Sequence, residues 1–173
     1  MNKNINWVYK VFLLSFILSI IFSSISTITA NAFNNIILLL IILIVITIGI
    51  VFDMIGVAAL TSKEASLHAK ASKKATGAKE AIKLVKNSTK VSSICNDVIG
   101  DICGIISGSL GAVLTINIAN KYNLNITIIT VLITAVISSL TVGFKAALKN
   151  VAMKNSDTIV FTVGKILNVL KFK

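Results

Sequence analysis

The chain has 173 residues, and its composition excludes a soluble globular domain. Only 13% of the residues are charged, whereas 55% are hydrophobic and the mean hydropathy is +0.93. A soluble domain carries about 25% charged residues, so this chain has too few polar side chains to cover a core of its own. The composition indicates an integral membrane protein and also excludes a disordered tail and a disulfide scaffold.

The positive charge fits lipid headgroups better than nucleic acid. The formal net charge is +11, all the cationic side chains are lysines, and there is no arginine. Nucleic-acid recognition relies on arginine forks and stacking aromatics, whereas most phenylalanines here lie inside apolar runs. Lysines beside apolar segments indicate which side of the membrane a loop lies on, and they contact anionic lipid headgroups. We therefore expect membrane lipid, and no nucleic acid, among the partners.

Four segments are long enough to cross a bilayer, which takes about 20 mostly apolar residues. They cover approximately residues 8–30, 36–60, 91–118 and 124–144. The predicted fold class is therefore all-α: a polytopic membrane protein with four transmembrane helices plus cytoplasmic amphipathic helices.

The lysines orient these segments. Every lysine except Lys121 lies before or at the start of the first segment, between the second and third, or after the fourth. Because cytoplasmic loops carry an excess of lysine, both termini and the loop at residues 61–90 are expected in the cytoplasm. This predicts a multi-pass protein of the cell membrane.

Residues 1–32 allow two interpretations. Ala30, Asn31 and Ala32 form a small-x-small cleavage signal after an apolar run, as in a signal peptide. The apolar run with its Ser/Thr tail also approaches spanning length, and we favour an uncleaved first transmembrane helix. Cleavage would leave three spans in the same orientation.

Two cytoplasmic stretches have amphipathic helical patterns. Residues 61–90 contain an Ala-rich helix and a second apolar repeat separated by Gly77, which predicts a helical hairpin. Residues 156–173 predict a C-terminal amphipathic helix. Membrane anchoring through apolar area and lysine–lipid attraction is the role expected for both.

Acids within the apolar segments are the main functional signal. Asp53 lies in the second segment, and Asp97 and Asp101 lie four residues apart in the third. Each costs about 2.5–3.5 kcal/mol at a helix centre, so such groups usually face a protein interior or water and are paired. Together with Asn96 they offer the hard oxygen ligands that Mg²⁺ prefers. The competing interpretation is that they are hydrated at the interface or paired with lysines after the fourth segment.

The glycines of the third segment predict close helix packing. Gly100, Gly104 and Gly108 form two overlapping GxxxG spacings, which allow another helix to approach. This face is a plausible dimer surface.

Enzyme chemistry has no support in the sequence. His68 lies alone in a lysine-rich stretch, and Cys95 and Cys103 have no histidine partner for a metal site. No nucleophile–base pair is visible, so we expect a protein that is not an enzyme.

Short motifs carry a resemblance to a known family. Phe52 and Ala58 match the first and last positions of a Phe-Ser-Gly-Ser-Glu-x-Ala motif, and Asn96 matches the Asn of a Gly-Asn pair. Three residues of a further motif after the last span also match: Lys149, Ala152 and Asn155. The hairpin is similar at residues 77–79. With the order of elements over residues 33–173, these motifs resemble the transmembrane domain of the CNNM/CorC (CorB) magnesium transporters.

The resemblance implies an ion held among Ser, Asn and Glu groups, with Mg²⁺ as cargo and a homodimer. Gly56 and Lys145 stand where that family has glutamates, and Leu148 stands where it has proline. Only Asn96 carries over from the family pattern, whereas Asp53 occupies a Ser position and Asp97 and Asp101 are additions of this chain. The predicted metal ligands remain Asp53, Asn96, Asp97 and Asp101.

Three functions remain open from the sequence. The first is the handling of a divalent cation, by Mg²⁺ transport or efflux. The second is a non-transporting membrane scaffold or interaction protein derived from the same fold, which the missing glutamates favour. A holin-like lytic protein is the third and the weakest.

Overall fold

The structure, a computed structural model, describes residues 2–30 and 33–171, and across these ranges it is all-helical. Its helices are α1 (Asn2–Ala30), α2 (Asn35–Thr61), α3 (Glu64–Ser72), α4 (Ala78–Lys86), α5 (Ser88–Ser92), a π-helix (Ser93–Gly100), α6 (Asp101–Tyr122), α7 (Ile126–Lys154) and α8 (Ser156–Lys171). Asn31 and Ala32 of the cleavage signal lie outside the described residues.

Three helices are long and apolar enough to span a membrane. Two of them are α2 and α7. The third is the continuous helix Ser88–Tyr122, which consists of α5, the π-helix and α6. In α1 the apolar stretch runs from Phe12 to Ile28. The helices extend beyond the apolar runs from which they were predicted, because lysines and asparagines continue the helix past the apolar segment. A helix ends where the backbone adopts a terminating conformation, and a polar residue alone does not end it.

The turn between α6 and α7 shows such a terminator. Asn123 adopts a left-handed conformation with φ 51°, and the Leu124 amide donates to the Ala119 carbonyl at 3.0 Å. Asn125 then accepts a hydrogen bond from the Thr127 amide at 2.9 Å, which caps the start of α7. Asparagine tolerates the left-handed region, so this short turn ends one helix and begins the next.

The chain forms two compact units. The apolar unit contains the described parts of Met1–Gly49 and Val98–Gly143, and the basic unit contains Ile50–Asp97 and the described part of Phe144–Lys173. In the apolar unit α1 packs on α6, where the Ser23 and Ser109 hydroxyls lie 3.1 Å apart.

The basic unit has a small core of its own. Five buried side chains from α2, α3, α4 and α8 form it: Ala58, Ala59, Leu67, Ala81 and Val160. Partly buried hydrophobic residues of α4, α5 and α8 surround them. The short helices α3 and α4 therefore pack against α8 through apolar side chains. Each Å² of apolar surface that this packing removes from water stabilises the fold by about 25 cal/mol.

Two glycines set the distance between α4 and α8. Gly77 precedes α4 at φ +83°, and a Cβ there would stand 2.5 Å from the Lys165 amide nitrogen. A Cβ on Gly164 would stand 2.5 Å from the Gly77 carbonyl oxygen and 2.8 Å from the Ala81 amide nitrogen. The Ala81 Cβ would also stand 2.9 Å from that added Cβ. Since neither the backbone nor an alanine Cβ can rotate away, any larger residue forces the two helices apart.

Asp157 joins α8 to the α2–α3 junction. Its Oδ1 accepts hydrogen bonds from the Ser62 hydroxyl at 2.7 Å and the Lys63 amide at 2.9 Å, and its Oδ2 accepts from the Ser66 hydroxyl at 2.5 Å. It also lies in the first turn of α8, where the helix dipole favours an anion. Asp157 thus caps α3 from another helix, and α3 has no side-chain cap of its own.

Gly164→Ala tests the glycine contact. We expect it to lower the free energy of unfolding in detergent by about 1–3 kcal/mol, the usual cost of overpacking. The matched control is Gly143→Ala in α7, because no described atom lies within 4 Å of the Cβ it would add. That control should be neutral or stabilising by up to about 1 kcal/mol. Equal effects of the two substitutions on thermal unfolding would contradict the contact.

The Asp157 contacts predict a pH dependence of stability. Burial raises the pKa of Asp157, but hydrogen bonds from Ser62, Ser66 and Lys63 and the charge of Lys70 outweigh it and hold the pKa below its usual value. Because the pKa of Asp157 is lower in the folded protein than the value of about 3.9 in the unfolded chain, its ionised carboxylate stabilises the fold at pH values above the unfolded-state pKa. That stabilisation is lost as the pH falls through the folded-state pKa.

Asp157→Asn should therefore be less stable than the wild type at pH 7, by about 1–2 kcal/mol for this partly exposed site. The difference should shrink as the pH falls below about 4. Thermal unfolding across this range measures it, and a difference that is constant with pH would exclude the ionised carboxylate as the cause.

Candidate cation site

Asn96 is the centre of the candidate site. It lies in the π-helix, and its Nδ2 donates to the Ser92 hydroxyl at 3.3 Å. Its Oδ1 is turned towards α2, where a Cβ on Gly56 would overlap it. The carboxamide thus fills the space that a side chain at position 56 would take, and Gly56 is the residue that admits it.

The Asn96 Oδ1 atom is buried and lacks a hydrogen-bond partner among the described residues. A buried carbonyl oxygen left without a donor costs about 1–3 kcal/mol. Almost all buried polar atoms in native proteins are satisfied, so an exception points to a ligand or to a functional role. A water proton or a metal cation would each satisfy this oxygen.

The π-helix around Asn96 supports a functional role. Residues Ser93–Gly100 have π-helical backbone between the α-helical segments α5 and α6. Such segments are rare, are less favourable than α-helix, and occur often at functional sites. The wider turn of the π-helix changes the direction of the Asn96 side chain relative to an ideal α-helix. Residues 93–99 contain no glycine or proline, so no residue type there predicts the π-helix.

Asp53 is the acidic residue of α2, the helix that also carries Gly56. It lies three residues before Gly56, and residues three apart share one face of an α-helix. Asp53 Oδ1 lies 3.6 Å from Lys145 Nζ, with side-chain exposures of 19% for Asp53 and 28% for Lys145. The charge of this half-buried carboxylate is therefore balanced by a lysine of α7, the pairing that one interpretation of the sequence anticipated.

The other two predicted ligands have exposed side chains. Asp97 lies in the basic unit and Asp101 in the apolar unit. Within the described part of the chain, no three His, Cys, Asp or Glu side chains gather as a possible metal-binding group. The structure thus brings Asn96 to Gly56 and Asp53 to Lys145, but it does not bring three carboxylates into one group.

Within the described chain, the close contacts at glycines lie at other positions than Gly104 and Gly108 of the GxxxG spacing. No described atom lies within 4 Å of a Cβ added to Gly104 or Gly108. Close approaches occur instead at Gly49, whose Cβ would stand 2.9 Å from Cys103 Cβ, at Gly56, and at Gly111, whose Cβ would stand 2.5 Å from Ile137 Cδ1. Sequence spacing missed Gly56 as the residue that accommodates Asn96.

Comparisons with protein families, curated proteins and solved structures found no match to this chain.

Gly56→Ala tests the position of the Asn96 carboxamide. The added methyl group collides with Oδ1, so we expect a loss of about 1–3 kcal/mol in the free energy of unfolding. The double variant with Asn96→Ala should recover most of that loss, because the collision is removed. Gly143→Ala is the control in an open position. Additive effects of the two substitutions at Gly56 and Asn96 would show that the side chains do not meet.

Proposed function

We propose that this chain is a multi-pass membrane protein, with both termini in the cytoplasm, that handles a divalent cation by Mg²⁺ transport or efflux. One observation carries the proposal: a buried carbonyl oxygen, Asn96 Oδ1, has no donor among the described residues and lies against the helix face that carries Asp53.

The membrane location is supported by three helices of spanning length and by apolar surface. Large hydrophobic side chains are exposed along α1, α2 and α7, including Phe16, Ile44 and Leu132. A soluble monomer rarely exposes apolar patches this extensive. With α1 as the fourth span, the lysine distribution orients both termini inwards, and lipid is the surrounding partner.

The ligand set suits Mg²⁺ best. This ion prefers oxygen ligands, keeps several waters, and is commonly bound through one or two carboxylates. Asn96 Oδ1 and the Asp53 carboxylate would provide the protein ligands, and waters would complete the shell. Ca²⁺ takes six to eight oxygen ligands in a larger and more flexible shell, so two protein oxygens suit it less.

Asp97, which lies in the basic unit with Asp53 and Asn96, has a supporting role in this proposal. Exposed carboxylates raise the local concentration of cations by electrostatic attraction without binding them tightly. The resemblance to the CNNM/CorC family adds support for Mg²⁺ and for a homodimer, with the open face of Gly104 and Gly108 as its contact.

One observation favours the alternative function, a non-transporting scaffold or interaction protein. Lys145 already neutralises Asp53, so the half-buried carboxylate has a partner without any metal. In that case Mg²⁺ would neither stabilise the protein nor cross the membrane.

Thermal unfolding of the purified protein in detergent tests the site. Saturating Mg²⁺ should raise the unfolding temperature, because a ligand at 100 times its Kd adds about 2.7 kcal/mol to the free energy of unfolding. In Asn96→Ala the Mg²⁺ effect should disappear, while stability without Mg²⁺ should be unchanged or higher, because an unsatisfied oxygen is removed. Asn150→Ala, at an exposed position of α7, is the control.

Mg²⁺ flux into proteoliposomes separates the two functions. Transport predicts a flux that Asn96→Ala and Asp53→Asn abolish and that Asp97→Asn only slows. Mg²⁺ stabilisation without flux would support the scaffold, and the absence of both effects would exclude a cation site.

A further inference from the structure

The ion pair between Asp53 and Lys145 places a cation of the protein at the candidate site. Lys145 Nζ lies 3.6 Å from Asp53 Oδ1, within ion-pairing distance, and both side chains are largely removed from solvent. Lys145 belongs to α7 and Asp53 to α2, and both lie in the basic unit. The ammonium group is therefore held at the carboxylate by the fold.

A metal ion and Lys145 compete for the same carboxylate. Removing an unpaired carboxylate from water is costly, so Asp53 needs one positive partner at all times. A cation bound to Asp53 and Asn96 would lie within a few ångströms of the ammonium group, and like charges at that distance repel strongly in a partly buried site. Repulsion from the bound metal ion therefore weakens the Asp53–Lys145 pair, and we expect Lys145 to leave Asp53 when the ion binds.

The competition is unequal for different cations. A tethered group has an effective concentration in the millimolar range or above, and it is present in every molecule. A monovalent ion that replaces Lys145 leaves the charge at the carboxylate unchanged, so it gains little. A divalent ion doubles the positive charge at Asp53 and also meets the otherwise unsatisfied Asn96 Oδ1.

We infer that Lys145 is a built-in competitor that sets the specificity of the site, excluding monovalent cations and admitting divalent ones. This inference rests on the proposed function, because it assigns a specificity-determining residue to the same cation site. Lys145 binds no metal ion itself and acts through Asp53. Its departure on metal binding also connects the occupied state to the inner end of α7.

Thermal-unfolding titrations with Mg²⁺ and with Na⁺ test the inference, at constant ionic strength maintained with N-methylglucamine chloride. The variants are Lys145→Met, which removes the charge, and Lys145→Arg, which keeps it. Lys149→Met is the control, because Lys149 lies one turn further along α7 and is exposed.

Lys145→Met should lower the apparent Kd for Mg²⁺ about tenfold or more, since a single unit charge at this distance is worth at least that factor. Na⁺, which should leave the wild type unaffected, should then stabilise Lys145→Met and compete with Mg²⁺. The Lys145→Arg and Lys149→Met variants should both behave as the wild type does towards the two ions.

The outcomes separate the two proposals. Wild-type affinity and wild-type selectivity in Lys145→Met would overturn the role of Lys145 and leave the cation site intact. A lack of Mg²⁺ stabilisation in the wild type and in Lys145→Met would overturn both.

If Lys145→Met does not fold, amine labelling of the wild type gives the answer. Reductive methylation followed by mass spectrometry should show faster modification of Lys145 in Mg²⁺ than without it, and unchanged modification of Lys149. The same labelling rate of Lys145 with and without Mg²⁺ would overturn the inference.

Discussion

The space between Asn96 and Gly56 is the feature on which the candidate cation site depends. A glycine on α2 admits the carboxamide of Asn96, and the buried oxygen that results has no donor among the described residues. Any larger residue at position 56 would close the space, and an α-helical backbone at residues 93–100 would direct the side chain differently. Backbone geometry and one small residue thus create the polar position on which the proposed function rests.

Electrostatics determine what such a position can bind. A half-buried carboxylate on the same face of α2 requires a positive partner, and Lys145 provides it in the structure described here. The pair balances the Asp53 charge without a ligand. Under the proposed function, a cation has to compete with Lys145 for this carboxylate. Asp157 shows the other use of an acid in this unit, since three donors from the α2–α3 junction satisfy it and it serves the packing of α8.

Helical structure was predictable because it follows from local patterns. Runs such as Ile36–Leu60 exceed the length of a span, and the apolar repeat after Gly77 gave a short amphipathic helix. The positions of helix ends were less accurate, because Asn123 terminates α6 through its backbone conformation and polar residues elsewhere continue a helix. The π-helix was unpredictable, since no residue type specifies it.

The candidate site was predictable in part. Intramembrane acids and Asn96 stand out by their cost in lipid, and this rule identified residues such as Asp53. The rule does not say which acids meet, because side-chain direction depends on packing between helices. Asp97 and Asp101 satisfy the same rule yet are exposed, and the close approach at Gly56 has no counterpart in the GxxxG spacing.

The most direct measurement is an experimental structure determined with Mn²⁺, a Mg²⁺ substitute whose anomalous scattering locates the ion. The account predicts a manganese peak within about 2.3 Å of both Asn96 Oδ1 and an Asp53 carboxylate oxygen, the usual range for oxygen ligands. Lys145 Nζ should have moved away from Asp53. A peak elsewhere, or an intact Asp53–Lys145 pair with no ion beside Asn96, would contradict it.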